Sequence, residues 1–139
     1  SKTIQNLNMN PEIILIDDDE ILLVILEKMI KKIMGDTAFK AFNSGTNALE
    51  YLKNTSSDAT KKRFLLVDIN LKDMTGWDFL TQMEKEEKNK FKAIVMTSSI
   101  SLSNPTKAEK FPSVIGFFEK PITFQSIEKM SNLILNRVE

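Results

Sequence analysis

The chain contains no cysteine and no histidine. The first absence excludes a disulfide framework, a thiolate nucleophile and a cysteine-based zinc site. The second removes the commonest general base, the commonest metal ligand and any phosphohistidine on this chain. A metal would have to be held by oxygen, which favours Mg²⁺, Ca²⁺ or Mn²⁺. An excess of one charge is missing too: 19 Lys+Arg meet 19 Asp+Glu, for a formal net charge of zero. That balance argues against non-specific binding to DNA, RNA or an anionic membrane. No apolar run approaches the roughly 20 residues that a membrane span needs. The opening SKTIQNLNMN is polar and lacks a signal-peptide core. Residues 1–11 are therefore expected to be a flexible lead-in, residues 12–139 a single domain, and the compartment the cytoplasm. What is present, 42% hydrophobic and 27% charged residues, fits a globular domain able to bury a core without staples.

Within that ordinary composition, one stretch is unusual. PEIILIDDDEILLVILEKMI runs four apolar residues, Ile13 to Ile16, straight into four acids, Asp17 to Glu20. Adjacent carboxylates repel, so crowding them costs free energy unless a positive charge is shared among them. EIILID (12–17) is short and isoleucine-rich, which predicts a buried strand. After Asp19 the spacing becomes helical: Leu22, Ile25, Leu26, Met29 and Ile33 share a face, and Gly35 is a natural stop.

The alternation continues. A weak strand is predicted over 37–42, and a helix over 44–54 with Ala48, Leu49 and Leu52 inward. A polar loop is predicted over 55–63, its Lys61-Lys62-Arg63 run read as solvated surface rather than a nucleic-acid patch. A buried strand is predicted over 64–69, a helix over 77–88 and a strand over 92–99. NPTKAEKF (104–111) predicts a short, poorly patterned helix, and 113–121 the fifth strand with its exit. The closing helix spans 123–138, with Thr123 as N-cap and Phe124, Ile127, Met130 and Ile134 inward. Five β-α pairs with apolar strands imply a parallel sheet covered on both faces. Such sheets bind ligands beyond the carboxyl ends of their strands, near the topological switch point.

The strand exits carry Asp17-Asp18-Asp19, Asp68, Thr97-Ser98-Ser99 and Glu119-Lys120-Pro121. Each has a plainer alternative taken alone. Asp19 is a candidate helix N-cap, Asp68 a turn residue, Thr97 and Ser98 loop hydroxyls, and Lys120 a surface lysine. Their joint placement at successive exits favours a site, with the acids forming a cup for a divalent cation.

Four segments in order, ILIDDDE, LLVDINLKDMTGWDFL, IVMTSS and GFFEKP, resemble the receiver domain of two-component response regulators over about Glu12 to Arg137. The resemblance implies a flavodoxin-like (βα)5 fold with parallel strands in the order 2-1-3-4-5. It makes Asp68 the phosphoacceptor and Asp17 and Asp18 the acidic pair. Thr97 is the switch hydroxyl, Lys120 the phosphate-pairing lysine and Phe117 the switch aromatic. The Lys120–Pro121 peptide is expected to be cis. For Phe117 the plainer alternative is core packing. Two positions depart from the family's pattern. Lys72 stands where proline is usual, and Ser99 where some relatives carry a carboxylate or amide.

The resemblance also implies a metal and a set of partners. Mg²⁺, or Mn²⁺ in its stead, would be held by Asp18, Asp68 and the backbone carbonyl of Asn70, with Asp17 acting through water. Lys120 and the N–H groups of Asn70 and Ser98 would meet the phosphoryl oxygens. Thr97 and Phe117 would then carry the change to the surface of the fourth helix, fifth strand and closing helix. The donor would be a sensor histidine kinase or phosphotransfer protein, and the target a downstream protein. Neither nucleic acid nor membrane would be bound directly. The chain is expected to be either a stand-alone receiver or part of a longer one. It is expected not to be an enzyme, beyond taking up phosphate from a donor and losing it again. Two rivals remain open: a Mg²⁺-dependent phosphohydrolase of the haloacid-dehalogenase type, and a pseudo-receiver that is never phosphorylated. The first usually needs an acid where Asn70 stands.

Overall fold

The short apolar runs lie side by side in the computed structural model, which describes residues 10–56, 61–100 and 103–138. Five strands, β1 (Asn10–Ile16), β2 (Ala38–Phe42), β3 (Lys61–Asp68), β4 (Phe91–Thr97) and β5 (Val114–Glu119), form one sheet in the order β2-β1-β3-β4-β5. Every pairing is parallel. The expected flavodoxin-like arrangement is therefore present. β1 begins at Asn10, so the last residues of the expected lead-in belong to the sheet, and residues 1–9 lie outside the described residues.

Alternation along the three central strands builds two cores. Ile14, Ile16, Leu65, Val67 and Val95 face helices α2 (Gly45–Asn54) and α3 (Gly76–Glu84), where Leu49, Leu52, Phe79 and Leu80 close over them. Ile13, Leu15, Phe64, Leu66 and Ile94 face α1 (Glu20–Met34) and α4 (Phe124–Val138), meeting Leu26, Ile30, Ile127 and Ile134. Each such side chain, fully buried, contributes roughly 1.5–3 kcal/mol. This double coverage is why the strands read as unbroken apolar runs.

Several expectations need correction. The fourth β-α pair lacks its α-helix, because the element between β4 and β5 is a 3₁₀ helix, Pro105–Lys110. PTKAEK lacks an apolar stripe and is shorter than the three or four turns an α-helix averages. Its entry residue, Asn104, is left-handed with φ 54°. The buried face of α1 is also rotated: Leu23, Leu26 and Ile30 are inside, whereas Ile25 is 46% exposed. ILLVIL is apolar on more than one side, so its neighbours choose the stripe. Phe124, read as inward, is likewise exposed. α3 stops at Glu84, before the charged KEEKNK.

The Lys61-Lys62-Arg63 run is not a solvated loop. It opens β3, and Arg63 is buried with its Nε donating to Glu12 Oε1 at 2.9 Å and Nη2 to Thr55 Oγ1 at 2.6 Å. The Tyr51 hydroxyl donates to Glu12 Oε2 at 2.5 Å, and Lys61 lies 3.6 Å from the same oxygen. A buried carboxylate at the base of β1 thus draws the basic run into the structure. Residues 57–60 of the expected loop lie outside the described residues.

Candidate functional site

Strand register carries the polar exits to one end of the sheet. Asp68 is the last residue of β3 and pairs with Met96, while Thr97 ends β4 opposite Glu119. Asp17 follows β1, its N–H bound to the Phe42 carbonyl at 3.1 Å. Lys120 follows β5, its N–H bound to the Thr97 carbonyl at 2.7 Å. The sheet order reverses between β1 and β3, so Asp17 and Asp68 flank the topological switch point. Asp19 caps α1 by accepting from Leu22 N–H at 3.1 Å. It therefore serves the helix. The Lys120–Pro121 peptide is cis.

Asp17, Asp18 and Asp68 each offer an oxygen, and these oxygens lie within 4.8 Å of one another. Asp17 is fully buried and Asp68 is 3% exposed. Lys120 Nζ donates to Asp17 Oδ2 at 2.6 Å and sits 3.3 Å from Asp68 Oδ2. The remaining oxygens are held by backbone: Asp17 Oδ1 accepts from Asp19 N–H at 2.9 Å, and Asp68 Oδ1 from Asn70 N–H at 3.2 Å. Burial pushes the Asp17 carboxyl above its usual range, and the Asp68 charge adds to this. Hydrogen bonds from Lys120 and Asp19 offset only part. Burial pulls the Lys120 ammonium down, but Asp17 and Asp68 outweigh it and hold it above its usual value. One ammonium thus serves Asp17 and Asp68, with Asp18 beside them, and repulsion between the two buried acids remains. An oxygen-only donor set with unrelieved negative charge fits a hard divalent cation.

The hydroxyl of Thr97 is fully buried and engaged with the loop after β4. It contacts Ser103 Oγ, donates to Ser99 O at 3.2 Å, and accepts from Ser99 N–H at 3.2 Å. Ser103 in turn donates to Ser99 O at 2.5 Å. Ser98 is exposed and lines a cavity of about 430 Å³ with Asn70, Trp77, Ser103 and Lys107. Phe117 is half-buried and meets Trp77 edge-on, with centroids 6.2 Å apart. Trp77 stacks on Phe111 at 5.4 Å. Phe117 accordingly takes part in packing, at the margin of the core.

Every residue singled out from the sequence lies at this end or on the elements leading from it. Three others did not declare themselves. Ser103 holds Thr97, Trp77 links Phe111 to Phe117, and Asp73 ties the loop after β3 to α2 through bonds to Gly45 and Thr46. Trp77 alone carried a signal, a large aromatic within the acceptor segment LLVDINLKDMTGWDFL. Nothing local marks Asp73 as the partner of a helix 27 and 28 residues earlier.

A family model described as response regulator receiver domain matches residues 13–132. The chemotaxis protein CheY of Pseudomonas aeruginosa is 26% identical over 127 residues, covering 91% of this chain and 98% of that protein. CheY-3 of Vibrio cholerae is 24% identical over 135 residues, covering 95% and 97%. A two-component response regulator from Cytophaga hutchinsonii superposes with a TM-score of 0.79 at 23% identity, covering 93% of this chain and 99% of that one, a likeness of fold. With the family match spanning most of the chain and the acids, threonine and lysine gathered at one sheet end, this protein belongs to the response regulator receiver domain family.

Proposed function

We propose that the protein is a signalling receiver that accepts a phosphoryl group on Asp68. The observation carrying this reading is Lys120, held between Asp17 and Asp68 at 2.6 and 3.3 Å beside a cluster of three acids. Asp18, Asp68 and the Asn70 carbonyl would hold Mg²⁺, with Asp17 acting through water and Mn²⁺ able to substitute. When bound, the ion neutralises phosphoryl oxygens and relieves the repulsion among the acids.

An Asp68 carboxylate oxygen attacks phosphorus, forming the new P–O bond. The bond from phosphorus to the donor breaks, and the donor leaves with the electron pair. The product is an acyl phosphate on Asp68. Lys120 moves from Asp17 toward a phosphoryl oxygen as a compact point charge. The N–H groups of Asn70 and Ser98 donate to the others. The added charge, roughly −1.5 to −2, offers strong acceptors to the Thr97 hydroxyl. Thr97 must release Ser103 to reach them, and Phe117 turns toward the space vacated. The change passes through Trp77 and Phe111 to the 3₁₀ helix, β5 and α4, where a downstream protein docks.

Since the chain has no histidine, the phosphodonor is another molecule, a sensor histidine kinase or a phosphotransfer protein. Asp68 is nearly enclosed, so a protein donor must settle against the same end of the sheet. Ile21, Val24 and Ile25 support such docking: they form an apolar strip on the first turns of α1, exposed by 74%, 55% and 46%. Among the described residues no helix is long and apolar enough to cross a membrane. The proposed setting is the cytoplasm. No turnover of an outside substrate is required of the site.

Incubation with Mg²⁺ and acetyl phosphate, followed by intact mass, tests the reading. Wild type should gain one phosphate, and Asp68→Ala none. A wild type that gains nothing would instead be a pseudo-receiver. Steady multiple turnover of phosphate esters would indicate a hydrolase.

A further inference from the structure

We infer that Asp73 is a positioning residue for the acceptor site, pinning the loop that presents Asn70 and Asp68 to the N-terminus of α2. This rests on the reading of Asp68 as acceptor and of the neighbouring oxygens as a metal site.

The loop from Ile69 to Thr75 must reverse direction between β3 and α3. Two ties close its base: Gly76 N–H donates to the Ile69 carbonyl at 2.7 Å, and Asn70 bridges Thr75 in antiparallel fashion. The tip needs a separate anchor. Lys72 has no ring to fix its φ, so it supplies none. Asp73 does, through both carboxylate oxygens. Oδ1 accepts from Gly45 N–H at 3.1 Å, and Oδ2 accepts from Thr46 N–H at 2.8 Å and Thr46 Oγ1 at 2.7 Å.

Those N–H groups belong to the first turn of α2, where no carbonyl of the helix can reach them. Ser44, the helix's own cap, accepts from Asn47 N–H at 3.2 Å. Ser44 and Asp73 thus divide the first turn between them, and the charged partner comes from the loop of the acceptor. The bonds are charge-assisted and favoured by the helix dipole. Burial alone would raise the Asp73 carboxyl, but these bonds together outweigh it and hold the group below its usual range.

The fit is also steric. A Cβ on Gly45 would stand 2.6 Å from Met74 Sδ and 2.8 Å from Met74 Cγ. The residue after Asp73 therefore rests on the one position of α2 that lacks a side chain. Asp73 itself is exposed, so its removal frees the loop tip without opening either core. The consequence should fall on the Asn70 carbonyl and on the Asp68 carboxylate, whose Oδ1 is bound by Asn70 N–H.

The test uses the full chain as wild type, Asp73→Ala, Asp73→Asn and Asp73→Ala/Lys72→Pro. Three quantities are read: the Mg²⁺ Kd by calorimetry, the rate of phosphorylation by acetyl phosphate against Mg²⁺ concentration, and the metal-free Tm. Loss of an outer partner of a metal site typically weakens binding about 10–100-fold, and the lower end is expected for Asp73→Ala. Its phosphorylation rate should approach the wild-type value at saturating Mg²⁺, with the Mg²⁺ requirement raised. Asp73→Asn should fall between the two. The metal-free Tm should move little, and Lys72→Pro should recover most of the Mg²⁺ affinity by stiffening the loop.

An Asp73→Ala protein that binds Mg²⁺ like wild type would overturn the proposal and leave Asp73 a helix cap. A Kd that weakens with no recovery from Lys72→Pro, alongside a large fall in metal-free Tm, would overturn it as well. If wild type itself bound no Mg²⁺ and took no phosphate, the reading of the site would fall first and this inference with it.

Discussion

Glu12 and Asp17 stand at opposite ends of β1, both nearly inaccessible to water, and their charges have opposite consequences for folding. Burial would raise the Glu12 carboxyl, but Tyr51, Arg63 and Lys61 overcome it and hold the group below its usual range. A carboxylate depressed in the folded state adds stability above its unfolded pKa, and that stability is lost as pH falls through the folded value. Asp17 is raised, so its ionisation subtracts stability as pH rises. This is the kind of local cost that functional sites carry. Removing one charge of a buried pair costs about 3–5 kcal/mol. Glu12→Gln should therefore lower the urea-unfolding free energy by about 3 kcal/mol at neutral pH. The gap should close in acid below the carboxylate range, where wild-type Glu12 is itself neutral. An equal gap at both pH values would show that charge is not the cause. The sequence hid this pair: Glu12 and Arg63 are 51 residues apart, and only the β1–β3 register, Glu12 opposite Arg63, brings them together.

Elements were legible where pattern and punctuation agreed. Asp19, the expected cap, does cap α1, and Thr123 accepts from Ser126 N–H at 3.1 Å. Ser44 and Thr75, not singled out as caps, also cap α2 and α3, Thr75 with Asp78 in a capping box. α3 also depends on a close approach that no pattern reveals. A Cβ on Gly76 would meet the Asp68 carbonyl oxygen at 2.7 Å and Ile69 Cα at 2.9 Å, both backbone. Backbone cannot yield as a flexible side chain can, so Gly76→Ala should displace the start of α3 from the end of β3. Overpacking of this kind costs roughly 1–3 kcal/mol, measurable by denaturation. Acetyl-phosphate labelling of Asp68 should slow in the same variant. Unchanged labelling would mean that α3 can move without shifting the acceptor. The 3₁₀ helix was the least legible element. Its six residues hold no buried side chain, so contacts across the loop rather than periodicity set its form.

At the scale of the whole molecule, site and fold share the same free energy. Three carboxyl groups are gathered at the sheet end with one ammonium among them, and a cation that binds only the folded form should stabilise it. At ten times its Kd, Mg²⁺ should add about 1.4 kcal/mol, or roughly 3–6 °C in Tm for a domain of this size. Thermal unfolding with and without Mg²⁺ checks this, and Asp18→Ala should abolish the rise. A rise that survives in Asp18→Ala would place the ion elsewhere. The order of apolar runs and the polar residues at four of the strand exits were enough to predict a doubly covered parallel sheet with its chemistry at the carboxyl ends. Strand pattern depends on burial and spacing, which local residues carry. The stripe that α1 buries, the recruitment of Arg63, the hold of Ser103 on Thr97 and the tie from Asp73 to α2 came from packing alone. Each joins groups whose meeting depends on how separate elements settle against one another, and no single segment of chain encodes that.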